Sequence, residues 1–138
     1  MALGEWPWRV YGRAGHPAFR QWSLEAWSDH DHPQVDTSVI PGRGPIERRA
    51  AEIGLSRRVR SVVPHFSMAA AMLAETDLLL TVPSVSLDPT AARYNLENRE
   101  LPFEMPPVGL SVFRSATNGD EAGVRRFLER IQAACSRL

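Results

Sequence analysis

The side chains best suited to chemistry in this 138-residue chain gather at two places. One is Val63-Pro64-His65-Phe66-Ser67. Pro64 fixes its own φ and offers no N–H, so the backbone turns sharply there and presents His65 and Phe66 together. A polar imidazole tip beside an aromatic face suits a small planar or anionic organic ligand, because a few placed polar groups on an apolar wall fix orientation. Should a helix begin here, its free N–H groups near Ser67 and Met68 favour a carboxylate. The competing reading is a buried histidine bonded to a carbonyl.

The other place runs from His32 to Thr37 and Ser38. Local sequence makes His32 a loop histidine, and the two hydroxyls either bond a ligand or satisfy the Gly42-Arg43-Gly44 loop. The run Asp29-His30-Asp31-His32 contains metal-ligating types. Successive strand residues point to opposite faces, so at most His30 and His32 converge, and no further ligand stands at a suitable spacing. A metal is therefore disfavoured and no cofactor is expected. Gly42-Arg43-Gly44 lacks the Gly-x-x-x-x-Gly-Lys spacing of a phosphate loop, and no Gly-x-Ser-x-Gly elbow exists for a serine hydrolase. No catalytic residue is expected, and the reading is not an enzyme. Cys135, the single cysteine, lies among Ile131, Ala134 and Leu138, which favours packing over nucleophilic attack.

These groups are positioned by an alternation of strands and helices. Trp8 to Tyr11 is read as a short strand ended by the Gly12 to Pro17 turn, and Ser23 to Ser28 as a short helix. Gln34 to Ile40 is β-prone. Pro45 stands at a first helical position, with Ile46, Ala50 and Ile53 along one face and a stop at Gly54. Val59 to Val63 is a strand and Phe66 to Ala74 a helix. Leu78 to Val82 is an apolar strand, and Asp88-Pro89 opens a short helix reaching Tyr94. An extended piece begins at Leu101 and Phe103, and Val108 to Phe113 is a further strand. Asp120 to Arg137 is the longest helix, with an apolar stripe of Val124, Phe127, Leu128, Ile131, Ala134 and Cys135. Such alternation predicts an α/β fold with a mixed, mostly parallel sheet covered by helices on both faces. Ligands of such sheets bind beyond the carboxyl ends of strands, near helix N-termini, which are the two places named above.

Composition sets outer bounds. Hydrophobic residues make up 43% and charged residues 23%, a globular profile. Sixteen arginines balance sixteen acids, so the basic excess of a domain that grips DNA is missing. The clusters Arg48-Arg49 and Arg57-Arg58-Arg60 are read as solvated faces balanced by Glu47 and Glu52. The apolar stretch Phe66 to Val82 is interrupted by Glu75 and Asp77 and cannot span a bilayer. The opening residues, with Glu5 and Pro7, do not read as a secretory signal, and a lone cysteine suits a reducing compartment, so a cytoplasmic location with no membrane is expected.

Several motifs are familiar in their order and spacing. Gly15-His16-Pro17, Trp27, His32-Pro33-Gln34-Val35, Ile53-Gly54-Leu55-Ser56-Arg57-Arg58-Val59, Val63-Pro64-His65-Phe66 and Glu75-Thr76-Asp77-Leu78-Leu79-Leu80-Thr81-Val82-Pro83 are followed by Leu110 to Phe113 and an amphipathic helix ending near Ile131. From about Val10 to Ile131 the chain resembles the effector (substrate)-binding domain of LysR-type transcriptional regulators. The resemblance implies a type II periplasmic-binding-protein-like fold, in which two α/β lobes joined by two crossing strands enclose a ligand cleft. Residues 1–106 would then be the second lobe with the incoming crossover strand. Residues 107–138 would be the return crossover strand and the C-terminal helix of the first lobe. The winged helix-turn-helix and most of the first lobe are missing from this pattern.

The resemblance further implies a regulatory domain sensing a small, aromatic or carboxylate metabolite through His32, Thr37, Pro64, His65, Phe66 and Ser67. It implies a homo-oligomer, with DNA held only through an N-terminal domain absent from this chain. The alternatives are a solute-binding protein, a dimerisation module using Val124 to Ala134, and a small metal-dependent hydrolase built on His30 and His32.

Overall fold

The computed structural model describes residues 1–35, 43–115 and 122–138. In chain order the elements are β1 (Ala2–Trp6), β2 (Trp8–Arg13), α1 (Leu24–Asp29), β3 (Asp31–Val35), α2 (Pro45–Glu52) and β4 (Arg58–Val63). They continue as α3 (Phe66–Ala74), β5 (Leu80–Pro83), α4 (Asp88–Ala91), β6 (Leu96–Glu100), β7 (Val108–Ser111) and α5 (Ala122–Cys135).

Local chemistry sets the ends of these elements. Ser23 Oγ accepts the Ala26 N–H at 3.1 Å and caps α1. Pro45 occupies the first turn of α2, where its missing N–H leaves no bond unmade. That helix stops at Gly54, whose φ of +76° lets Leu55 N–H return to the Ala50 carbonyl at 2.8 Å. Ile46 and Ala50 are buried as the spacing predicts, whereas Ile53, at the helix end, is exposed.

β2 lies between β5 and β6 and runs antiparallel to both, while β3 and β4 pair in parallel across the α2 crossover. Leu79 N–H donates to the Asp31 carbonyl at 3.1 Å and ties β3 to the start of β5. Period-two alternation then sends neighbouring side chains to opposite faces. Tyr11 and Leu80 join Ala69, Ala70 and Leu73 of α3 in one core; Val10 and Leu79 join Trp27 of α1 and Ile46 and Ala50 of α2 in the other. The sheet is therefore covered on both faces, as expected of an α/β fold.

The balance of directions differs from the expected mostly parallel sheet. Among the described residues three strand pairings are antiparallel and one is parallel. Alternating strands and helices reveal how strands are connected but not which strands become neighbours. β2 pairs with strands about seventy or more residues further along, Trp8 facing Pro83 and Arg9 facing Glu100.

Two strands escaped the sequence reading. β1 contains Gly4 and Glu5 and takes its partner from β7, more than one hundred residues on, with Ala2 opposite Ser111. β6 reads Leu-Glu-Asn-Arg-Glu because it is an edge strand with mostly exposed side chains, so the extended piece precedes Leu101 rather than beginning there. β3 begins at Asp31 and runs through Pro33, where the register with β4 shifts and the missing N–H is accommodated. The expected strand residues 36–40 lie outside the described residues, as does Asp120 of the long helix. Among the described residues no helix is long and apolar enough to cross a membrane.

Candidate ligand site

An opening of about 210 Å³ lies where β3 and β5 meet the N-terminal ends of α2 and α3. Pro33, Gln34 and Val35 contribute from the carboxyl end of β3, and Leu80 to Pro83 from β5. Gly44 to Glu47 come from the start of α2, Phe66 from the start of α3, and Trp8 closes one side. The wall is chiefly apolar, and the first turns of two helices, whose leading N–H groups have no intrahelical partner, meet there.

The charged members of this wall are neutralised against each other. Arg57 Nη2 and Glu47 Oε1 form a close ion pair, with side chains only 5% and 10% exposed. Burial pulls the Arg57 guanidinium below its ordinary pKa, and Glu47 opposes that shift. Among the described residues Arg57 Nε is buried with no hydrogen-bond partner. Glu47 reaches its place by folding back over the start of α2, so close that a Cβ on Gly44 would lie 2.7 Å from its Oε2. The glycine in Gly42-Arg43-Gly44 that precedes the helix thus makes room for a carboxylate rather than cradling a phosphate. Thr81 Oγ1 accepts the Trp27 indole N–H at 3.0 Å, which anchors the back of the wall to α1.

The expected site residues fall into four groups. Phe66, 39% exposed, lines the opening. Pro64, His65 and Ser67 are exposed beside it: His65 is the N-cap of α3 in extended conformation, and its imidazole makes no capping bond. The reading of His65 as a buried, carbonyl-bonded histidine does not describe it. His32 is not brought to the opening. It is wholly buried, its Nε2 bonds the Trp27 carbonyl at 2.8 Å, and its ring lies 5.1 Å from the Trp27 indole. Burial pushes its pKa down to about 3, and the nearby Arg57 charge adds to that shift. It faces inward because it sits on a covered strand where the Trp27 carbonyl requires a donor, not in the loop that its neighbours suggested. Thr37 and Ser38 lie outside the described residues.

The metal-type run is dispersed. Asp31 pairs with Arg58 at 2.8 Å and Arg60 at 3.2 Å, and His30 Nδ1 bonds the Ala26 carbonyl at 2.8 Å. Among the described residues no three His, Cys, Asp or Glu side chains are grouped to hold an ion. The arginine cluster is split: Arg58 and Arg60 are solvated, as expected, whereas Arg57 is a wall residue. Only an acid placed to fold over a glycine-led helix start hinted at that pairing.

A twice-covered α/β sheet with its opening at strand carboxyl ends and helix N-termini defines a small-molecule-binding class of domain. The chain matches the family model described as "LysR substrate binding domain" over residues 1–136, and it belongs to that family. It is 29% identical over 112 residues to the HTH-type transcriptional activator NagR of a Ralstonia species, covering 80% of this chain and 37% of the relative. It is likewise 29% identical to the transcriptional activator NahR of Pseudomonas putida, covering 73% of this chain and 34% of the relative. The chain thus spans about a third of the length of these relatives.

Among solved structures, the regulatory domain of MexT from Pseudomonas aeruginosa superposes with a TM-score of 0.80 at 24% identity, covering 96% of this chain and 65% of that one. The effector-binding domain of QuiR, solved with shikimate, gives 0.68 at 15% identity, covering 99% and 65%. These likenesses establish the periplasmic-binding-protein-like fold.

Proposed function

We propose that this chain is the effector-sensing part of a non-enzymatic, cytoplasmic LysR-type regulator, and that its effector is a small aromatic or carboxylate metabolite. The opening bordered by Phe66 carries the reading. About 210 Å³ is less than a complete pocket of about 300–1,000 Å³ for a small molecule, and so fits one wall of a two-walled cleft. In this reading residues 1–106 form the second lobe with the incoming crossover strand, and 107–138 return to the first lobe.

Phe66 supplies the apolar face, His65 and Ser67 the polar rim at the start of α3, and Pro64 the turn that presents them. Thr37 is a proposed ligand contact, and His32 holds the wall from behind. Because Glu47 already neutralises Arg57, the carboxylate is met by backbone N–H groups at the start of α3 and by His65, not by a free buried cation. The shikimate bound to the QuiR domain, a cyclic hydroxylated carboxylate, is the kind of ligand this arrangement suits. In a DNA-bound homo-oligomer the effector would select one lobe arrangement; a near-complete switch requires about 10⁴-fold preference between states, or roughly 5.5 kcal/mol.

Calorimetric titration with shikimate and a panel of aromatic carboxylates tests the assignment. Phe66→Ala and His65→Ala are each expected to weaken binding about tenfold or more with unchanged circular dichroism, as loss of an apolar wall or of a charge-assisted hydrogen bond implies. Binding equal to that of the unmodified chain in both variants overturns it.

A further inference from the structure

A second cavity, of about 580 Å³, opens on the other side of Trp8, which borders both. Its size lies within the usual range of small-molecule pockets of about 300–1,000 Å³. Its apolar lining includes Trp8, Phe103 and Met105, and its charged lining Arg9, Arg49, Glu100 and Glu104.

The walls are fixed by specific contacts. Trp8 Nε1–H donates to the Pro106 carbonyl at 3.0 Å, and Trp22 Nε1–H to the Glu100 carbonyl at 2.9 Å. Phe103 stands edge-on to Trp27 with ring centroids 5.0 Å apart. Arg49 Nε donates to the Glu104 carbonyl at 2.9 Å and so ties the segment after β6 to α2.

The charges are distributed unequally between cavity and solvent. The Arg9 side chain is 31% exposed, but the Glu100 carboxylate that meets it at 3.5 Å is 85% exposed. Arg49 is 35% exposed, and its partner Glu52, at 2.9 Å, is 63% exposed. Each cation lies on apolar ground while its counter-ion stays in water. A long, exposed ion pair contributes little, so the Glu100 carboxylate can return to solvent at small cost when another acceptor reaches Arg9.

We propose that this cavity is a ligand site in its own right, for a small ring-bearing monocarboxylate whose ring lies against Trp8 and Phe103 and whose carboxylate takes Arg9 from Glu100. Aromatic walls accept the ring by stacking or edge contact, and the guanidinium accepts the carboxylate through paired N–H donors. The proposal goes beyond the effector site beside Phe66 and does not rest on it.

Indole N–H resonances of the ¹⁵N-tryptophan-labelled chain read the site, since Trp8 lines it and the Trp22 indole N–H bonds the carbonyl of Glu100, a lining residue. Benzoate is the probe and benzylamine the control of opposite charge. Benzoate is expected to shift both resonances saturably, and benzylamine neither. Arg9→Gln weakens the titration about tenfold, as loss of a charge-assisted bond implies. Glu100→Gln strengthens it, because the competing carboxylate is gone; damage to the wall would act in the opposite sense. Phe66→Ala, which strips the smaller cavity, leaves the Trp22 response in place.

A silent Trp22, a response to benzylamine instead, or unchanged or weaker binding in Glu100→Gln overturns the proposal. A response at Trp8 alone that disappears in Phe66→Ala also overturns it, and assigns benzoate to the smaller cavity, leaving the effector reading intact.

Discussion

His16 and His32 are both wholly buried, and burial lowers the pKa of each imidazole. Their folded forms are neutral, while the unfolded chain takes up protons near pH 6.5. Stability from these two groups is therefore complete above that pH and is lost as pH falls toward the folded values, about 3 for His32. The slope is at most about 1.4 kcal/mol per pH unit for each histidine. Urea midpoints are expected to drop between pH 7 and pH 5, before most carboxylates titrate, and His32→Gln should flatten part of the drop. A midpoint constant over that interval contradicts the buried neutral assignment. Thr81 offers a second residue-level test, because Thr81→Val leaves the buried Trp27 indole N–H without its acceptor. The expected cost is about 1–3 kcal/mol by chemical denaturation, with Thr81→Ser close to the parent.

Elements whose signals are local were legible. α3 begins at Phe66 and ends at Ala74 as the apolar spacing predicts, and α2 starts at Pro45 and stops before Gly54. The reason is that caps, prolines and left-handed glycines act within one turn of chain. Gly54→Ala should destabilise by about 1 kcal/mol in denaturant titration, because φ is +76° there and open space around the position means that only backbone strain opposes the change. An unaltered midpoint would show that the Gly54 turn does not hold the end of α2. β1 and β6 were not legible, since each takes its hydrogen bonds from a strand distant in sequence and buries few of its side chains.

At the scale of the molecule, β1 and β7 are joined through Ala2–Ser111 and Trp6–Val108, and Val112 N–H bonds the Met1 carbonyl at 2.8 Å. Of this ribbon only Trp6 is buried, whereas β2 and β5 contribute Val10, Tyr11, Leu80 and Val82 to the cores. Amide hydrogen exchange should therefore be faster in β1 and β7 than in β2 and β5, because local opening there exposes little apolar surface. Equal protection would mean that the ribbon unfolds only with the whole domain. The α5 stripe read from sequence is present in the helix, but Phe127 remains 64% exposed.

The amino-acid order by itself determined the helix starts and stops, the α/β class, the family likeness and the junction at His65 and Phe66, all carried by residues close together in the chain. Only tertiary structure decided that β2 runs against its neighbours, that His32 turns inward, that Arg57 leaves its solvated cluster for Glu47, and that Trp8 divides two cavities. Those outcomes depend on which distant segments exclude water from one another, and spacing along the chain does not encode that.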